Sequence, residues 1–314
     1  MTFLTTLLKL AFNPSSAFLS NLLPAILASY SVQLLTGIPS VLFASEIFYD
    51  LAGGLSFLLT LSSSLFLPAL RRKAVISLDD ALTTWNWRQL ALTGAAAVWS
   101  VRLSSYLFLR VLQKGHDSRF DTVKHKPRRF FMFWMIQAVW VLICLTPVIA
   151  VDSIHPAAFK AGLGVPDVLP SDVLGFGLFG LGLLIEVVAD YQKGKWYSEK
   201  VRKVHDELFI TRGLWGRCRF PNYFGEITLW AGIAIAAAGV LSRGPIQASL
   251  GWYGTSGQLK AVILPGMAPA FVAWLLLRVS GVPLSERKYD KLYRDRKEYQ
   301  NWRKNTPLLI PKIF

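Results

Sequence analysis

The stretch FFMFWMIQAVWVLICLTPVIAV, residues 130–151, runs for 22 positions without a charged side chain. At about 1.5 Å per residue, a helix of this length crosses a hydrocarbon core about 30 Å thick. In lipid every backbone group must be paired, and a run this long and without alternation does not suit a barrel strand. The stretch therefore predicts a membrane-spanning helix.

Six further apolar stretches of similar length extend this interpretation to the whole chain. The predicted spans are residues 18–42, 48–70, 90–112, 130–151, 172–190, 222–241 and 261–281. Composition agrees, because 53% of the residues are hydrophobic and 17% are charged, whereas soluble domains carry about 25% charged residues. The predicted fold class is all-α, a polytopic integral membrane bundle of about seven transmembrane helices.

Lysine and arginine are distributed by side of the membrane. Of the 34 basic residues, 24 fall in residues 113–129, 191–221 and 278–314, and 8 fall in the N-terminus and the alternate loops. This positive-inside pattern predicts a cytosolic C-terminus, with the N-terminus on the opposite side. The same pattern explains the net charge of +15 by the orientation of the chain in a lipid bilayer. We therefore expect the bilayer as the partner and no nucleic acid.

Cysteine and histidine point to no disulfide framework and no metal. Cys144 and Cys218 are far apart in sequence, which excludes a disulfide scaffold. The histidines fall in predicted loops without the spacing of metal ligands: His116, His125, His155 and His205.

Residues 175–180 match the pattern G-x-G-x-x-G of dinucleotide-binding folds. That fingerprint requires a preceding strand and a βαβ unit, whereas these glycines lie inside an apolar span. We therefore expect close packing between helices through small residues rather than a nucleotide site.

Residues 213–226, GLWGRCRFPNYFGE, combine cations with the start of a predicted helix. Arg217 and Arg219 precede Pro221, a residue suited to the first helical position. Two arginines beside a helix N-terminus predict an anion site that suits phosphate, and Tyr223 and Glu226 share one helix face. Alternatively, the arginines bind lipid phosphates and Tyr223 belongs to the interfacial aromatic belt.

Several ordered motifs carry a family resemblance. They are Tyr49–Gly53, Trp99–Leu103, Gly115–Phe120, Glu186–Lys193, Gly213–Trp215, Arg219–Glu226 with Trp230, Ser280–Pro283 and Thr306–Pro311. With them, residues 45–314 resemble the steroid 5-alpha-reductase-like membrane protein superfamily, in the branch described as domain of unknown function 1295. Isoprenylcysteine carboxyl methyltransferases are more distantly similar.

The resemblance implies that NADPH enters from the cytosol and is held by the C-terminal helices. It divides the chain into residues 1–44, with the first helix, and a reductase-like domain at 45–314 with its cofactor half at about 172–314. Carried over position by position, the cofactor-binding residues are Asp190, Arg212, Trp215, Arg217, Arg219, Asn222, Tyr223 and Glu226. A tail tyrosine is also implied, and Tyr289, Tyr293 and Tyr299 stay open for that role.

The activity implied is NADPH-dependent reduction of a carbon–carbon double bond, an oxidoreductase reaction on CH–CH groups. The lipophilic substrate is expected to be a steroid, a sterol or another enone lipid, whose carbonyl is polarised by a hydrogen-bond donor. Tyr49, Glu46 and Tyr106 are the candidate catalytic donors. In a eukaryotic cell we expect the endoplasmic reticulum membrane.

Phe220 bears on the alternatives. Many relatives read Arg-His-Pro-Asn-Tyr, and in the methyltransferases that histidine belongs to the cofactor site, so Phe220 favours a reductase. One alternative is an S-adenosylmethionine-dependent methyltransferase of the isoprenylcysteine carboxyl type. The other is a non-catalytic sterol-binding or scaffold protein.

Overall fold

The computed structural model of the chain describes residues 16–71, 84–117, 119–160 and 164–312. Within these ranges the secondary structure is helical and contains no strand. Seven helices are long and apolar enough to cross a membrane, which confirms the predicted fold class and the predicted number of spans. Part of the predicted segment 1–44, residues 1–15, lies outside the described residues.

The seven long helices are α1 Ala17–Leu42, α2 Tyr49–Arg71, α3 Trp87–Lys114, α4 Pro127–Asp152, α5 Pro170–Val201, α6 Pro221–Leu241 and α7 Gly254–Trp274. A π-helical turn, Leu275–Val279, follows α7. Two tail helices complete the order, α8 Val282–Tyr293 and α9 Lys297–Asn305. Shorter helical segments are Pro156–Phe159, Leu214–Arg217 and Gly244–Leu250.

Two helix boundaries differ from the prediction. Helix α5 continues to Val201 rather than ending near residue 190, so part of the predicted polar connector 191–221 is helical. Helix α7 begins at Gly254 rather than near residue 261. Hydropathy predicts only the part of a helix that lies in lipid. The backbone hydrogen bonds of the helix can continue beyond that part, so the helix is longer than the predicted span. The predicted start of α6 at Pro221 and the loop positions of the four histidines are confirmed.

The chain divides into two compact units. The first comprises residues up to Ser171 together with Ile235–Ala268. Its helices are joined by buried polar side chains, because Ser29 and Ser56 lie 3.2 Å apart and the Ser64 hydroxyl donates to Asp152 at 2.9 Å. Lipid tails are as apolar as leucine side chains, so the hydrophobic effect does not drive helices together within a bilayer. Hydrogen bonds between buried polar side chains help them to associate instead.

The second unit comprises Asp172–Ala234 and Pro269–Phe314. Here α5 and α6 approach through glycines: a Cβ added to Gly182 would lie 2.5 Å from the Leu229 nitrogen, and one added to Gly232 would overlap the Gly175 carbonyl. The expected small-residue packing therefore holds at Gly175. It does not hold at Gly177 and Gly180, where an added Cβ would meet no atom within 4 Å.

Candidate functional site

The C-terminal tail pairs with the segment that precedes α6. The Arg219 N–H donates to the Pro307 carbonyl at 2.9 Å, and the Phe220 N–H donates to Leu308 at 3.2 Å. In a third hydrogen bond the tail is the donor: the Lys312 N–H donates to the Arg217 carbonyl at 3.1 Å. The tail motif of the sequence thus lies against the predicted anion-binding run.

Arg219 is held by acidic residues of the tail. Its guanidinium Nη1 forms an ion pair with Glu286 Oε1, and the other oxygen of Glu286 lies 3.4 Å from Arg303 Nη2. Arg303 also binds Asp290 at 2.6 Å, and the Tyr299 hydroxyl donates to the same Asp290 oxygen at 2.8 Å. The sequence predicted two arginines open to an anion; the fold instead pairs one of them with a carboxylate 67 residues away.

A small cavity of about 20 Å³ lies beside this ion pair. Its walls are aromatic, aliphatic and charged side chains: Lys193, Phe209, Ile210, Trp215, Arg219, Phe220, Ser285, Glu286, Tyr289, Tyr299 and Trp302. A volume of this size accommodates about one water molecule. In this conformation the cavity is too small for a nucleotide.

Three buried polar atoms at or near the cavity lack a partner within the described part of the chain. They are Arg219 Nε, Asn222 Oδ1 and Trp302 Nε1. Because a buried unpaired polar group costs roughly 1–3 kcal/mol, such atoms call for a ligand, a water or a rearrangement. A phosphate or hydroxyl oxygen suits Nε, and an N–H or O–H donor suits Oδ1.

Asp190 and Asn222 lie next to each other. The Asn222 amide donates to Asp190 Oδ1 at 3.4 Å, and Asp190 is 7% exposed. Trp215 is anchored beside them, since its indole N–H donates to the Ala189 carbonyl at 2.9 Å. Lys193 lies 4.6 Å from the Trp215 ring centroid in a cation–π contact.

Tyr223 stacks on Phe220, with ring centroids 5.2 Å apart and planes within 2° of parallel. Phe220 lines the cavity, and Tyr223 supports its ring from behind without lining the cavity itself. Tyr223 also lies against Gly281, where an added Cβ would approach its ring to 2.8 Å. Glu226 is one turn deeper on α6 and half-buried.

Arg212 and Arg217 do not line the cavity. Arg212 lies 3.4 Å from Glu199 and 3.3 Å from Glu207, a surface cluster of its own. The Arg217 side chain is exposed. The structure thus brings Trp215 and Arg219 to one cavity and leaves these two arginines at the surface.

Cys218 lies between two arginines but is fully buried. Burial raises the pKa of its thiol to about 11, with a smaller opposing effect of a backbone hydrogen bond at Phe220. Because the reactive form of cysteine is the thiolate, this side chain packs as a small apolar group at neutral pH.

The three candidate donors of the first unit differ in their surroundings. Burial alone would raise the pKa of Glu46, but the Asp117 N–H and the Lys124 ammonium, 3.1 Å away, outweigh it and lower the pKa. A general acid needs the opposite shift. The Tyr49 hydroxyl donates to the Phe133 carbonyl at 3.0 Å, whereas Tyr106 is half-buried on α3.

Several cavity residues were not among the sequence candidates, notably Lys193, Phe209, Glu286 and Trp302. A signal for one of them was present. Glu286 and Asp290 are four residues apart and so lie on one face of α8, a spacing that predicts a shared cation. Arg303 contacts both. Of the tail tyrosines, Tyr289 and Tyr299 line the cavity and Tyr293 does not.

Comparison with known proteins assigns the family. The family model described as "Protein of unknown function (DUF1295)" matches residues 40–306. The chain belongs to this family. All the candidate site residues named above lie within the matched range. No curated protein and no solved structure matches the chain.

Proposed function

We propose that the chain is an NADPH-dependent reductase of a carbon–carbon double bond in a membrane-dissolved lipid. The observation that carries the proposal is the pair of buried unpartnered atoms, Arg219 Nε and Asn222 Oδ1, beside an aromatic cavity in the second unit. These atoms offer one cationic donor and one acceptor to a ligand that carries both phosphate and N–H or O–H groups, as a dinucleotide does.

The chain's own residues fit the parts of such a cofactor. Arg219 binds a phosphate when Glu286 releases it, and Glu286 retains a cation because Arg303 is already 3.4 Å from its second oxygen. Asn222 Oδ1 and the Asp190 carboxylate accept hydrogen bonds from ribose hydroxyl or amide N–H groups, and Phe220, stacked on Tyr223, excludes water from one wall. For a 2′-phosphate the exposed side chain of Arg217 is the candidate, because Arg212 is already paired with Glu199 and Glu207.

When bound, NADPH supplies a hydride to the electron-poor carbon of the double bond. The second hydrogen is a proton, so the net change converts C=C to CH–CH and NADPH with H⁺ to NADP⁺. An enone lipid, such as a steroid or sterol, suits this chemistry because its carbonyl draws electrons from the alkene. Because seven helices are long and apolar enough to cross a membrane, such a substrate would reach the protein through the bilayer, and apolar burial would supply affinity for it.

Phe220 supports a reductase rather than a methyltransferase on the resemblance described above. A cytosolic C-terminus and, in a eukaryotic cell, the endoplasmic reticulum membrane belong to the same proposal. The charge distribution supports the orientation of the C-terminus.

The test is cofactor binding to detergent-purified protein, read as the shift in the thermal unfolding midpoint. A ligand at 100 times its Kd stabilises the folded state by about 2.7 kcal/mol. We expect a shift with NADPH and none with S-adenosylmethionine. A shift with S-adenosylmethionine alone indicates a methyltransferase, and no shift with either in folded protein indicates a binding or scaffold role; both results contradict the proposal.

A further inference from the structure

An apolar groove runs between α1 and α4 in the first unit, and it is separate from the site described above. We call it the α1–α4 groove. Its volume is about 320 Å³, and its walls are Ile38, Val41 and Leu42 of α1 with Pro127, Arg128 and Phe131 of α4. Both helices are membrane spans. Leu42 is 77% exposed and Ile38 is 49% exposed, so the groove faces the surroundings of the protein.

Three cations lie at the end of this groove where α4 begins. Lys126 is the N-cap residue and Arg128 and Arg129 follow in the first turn. All three side chains are exposed, and within the described ranges none forms an ion pair or a side-chain hydrogen bond. The partial positive charge of a helix N-terminus makes cations unfavourable there. An anion at this position would relieve that repulsion.

Three carboxylates of the first unit are already paired with other cations, and the exposed Asp121 forms no ion pair within the described residues. Glu46 binds Lys124 at 3.1 Å, and Asp50 and Asp117 bind Arg119 at 2.5 and 2.6 Å. The positive-inside rule accounts for basic residues on this side of the membrane. It does not account for their position at one end of an apolar groove.

We propose that the α1–α4 groove binds one glycerophospholipid with an anionic headgroup. An acyl chain lies along Ile38, Leu42 and Phe131, and the phosphate lies at Arg128 and Arg129. Charge complementarity selects this occupant, because an apolar groove accepts any lipid chain, whereas the cations favour a net negative headgroup. The proposal does not depend on the reductase activity.

The experiment compares phosphatidylglycerol with phosphatidylcholine of the same acyl chains. Each is titrated into detergent-purified full-length protein, and the bound fraction is counted by native mass spectrometry. We expect phosphatidylglycerol to bind at least about tenfold more tightly. Each arginine near an anionic lipid contributes about 1 kcal/mol, and about 1.4 kcal/mol corresponds to a factor of ten in affinity. Equal affinity for the two lipids would overturn the proposal.

Two variants locate the site. The double substitution Arg128→Gln/Arg129→Gln removes the cations, and Ile38→Trp fills the groove at a lipid-facing position. The matched control is Arg287→Gln/Lys288→Gln, which removes the same charge from exposed residues of α8. We expect both groove variants to lose about tenfold in phosphatidylglycerol affinity and the control to bind like wild type. If the groove variants behave like the control, the lipid binds elsewhere and the proposal is wrong.

Discussion

Arg219 and Glu286 form an ion pair that joins the start of α6 to the tail helix α8. The backbone repeats this connection, because the Arg219 N–H donates to the Pro307 carbonyl. The cation predicted to bind a cofactor phosphate is thus occupied by an internal carboxylate. Glu286 contacts a second arginine, Arg303, so the carboxylate would keep a partner if Arg219 bound a ligand instead.

Replacing Glu286 should strengthen cofactor binding. Glu286→Gln removes the charge that competes with phosphate for Arg219, so we expect about fivefold to tenfold tighter NADPH binding, equal to about 1.0–1.4 kcal/mol. The measurement is a Kd from titration of purified protein. Glu298→Gln is the control, because Glu298 is an exposed glutamate of the same tail. An affinity no higher than that of the control contradicts competition by Glu286.

Removing the Asn222 amide should abolish NADPH binding without preventing membrane insertion. Asn222→Ala deletes both the contact with Asp190 and the unpartnered Oδ1 atom. Glu226→Ala is expected to act in the same way. Asn301→Ala is the matched control, since Asn301 is exposed on α9. Binding is measured by thermal shift and insertion by membrane fractionation. If Asn222→Ala binds NADPH as tightly as Asn301→Ala does, the site assignment is wrong.

The glycines of α5 should divide into two classes. Gly182→Ala places a Cβ 2.5 Å from the Leu229 nitrogen, and forcing two backbones apart costs roughly 1–3 kcal/mol. Gly180→Ala meets no atom within 4 Å and should stabilise the helix by about 0.5–1 kcal/mol, because alanine loses less backbone entropy. Unfolding midpoints in detergent test this order. Equal effects of the two substitutions would contradict the α5–α6 packing.

The Glu46–Lys124 pair should make stability depend on pH. Folding lowers the pKa of Glu46 because the Asp117 N–H and Lys124 outweigh the effect of burial. The stabilisation is therefore present above the carboxyl pKa of the unfolded chain, about 4.3, and is lost as the pH falls through the lower pKa of the folded state. Glu46→Gln should lower the unfolding midpoint at neutral pH. The difference from wild type should shrink below about pH 4; a constant difference would exclude this linkage.

The sequence proposed the residues of the candidate site, whereas their contacts came only from the fold. Asp190, Trp215, Arg219 and Asn222 were named because their types and order resemble a family pattern, and the fold brings Trp215 and Arg219 to one cavity. Arg212 lies at the surface, where Glu199 and Glu207 pair with it, and Arg217 is exposed to solvent, which avoids the cost of burying a charge. Glu286 was not predicted as a site residue because its partner, Arg219, is 67 residues away in sequence.

By itself, the sequence determined the all-helical fold, the seven spans and the start of α6 at Pro221. Each of these depends on local chemistry, since a backbone in lipid must pair within its own segment and proline suits a first helical turn. Only the tertiary structure decided that Arg219 binds Glu286, that Gly182 rather than Gly180 faces α6, and that α5 continues to Val201. Such choices depend on which surfaces of separate helices meet, and that is set by packing of the whole unit rather than by any one stretch of chain.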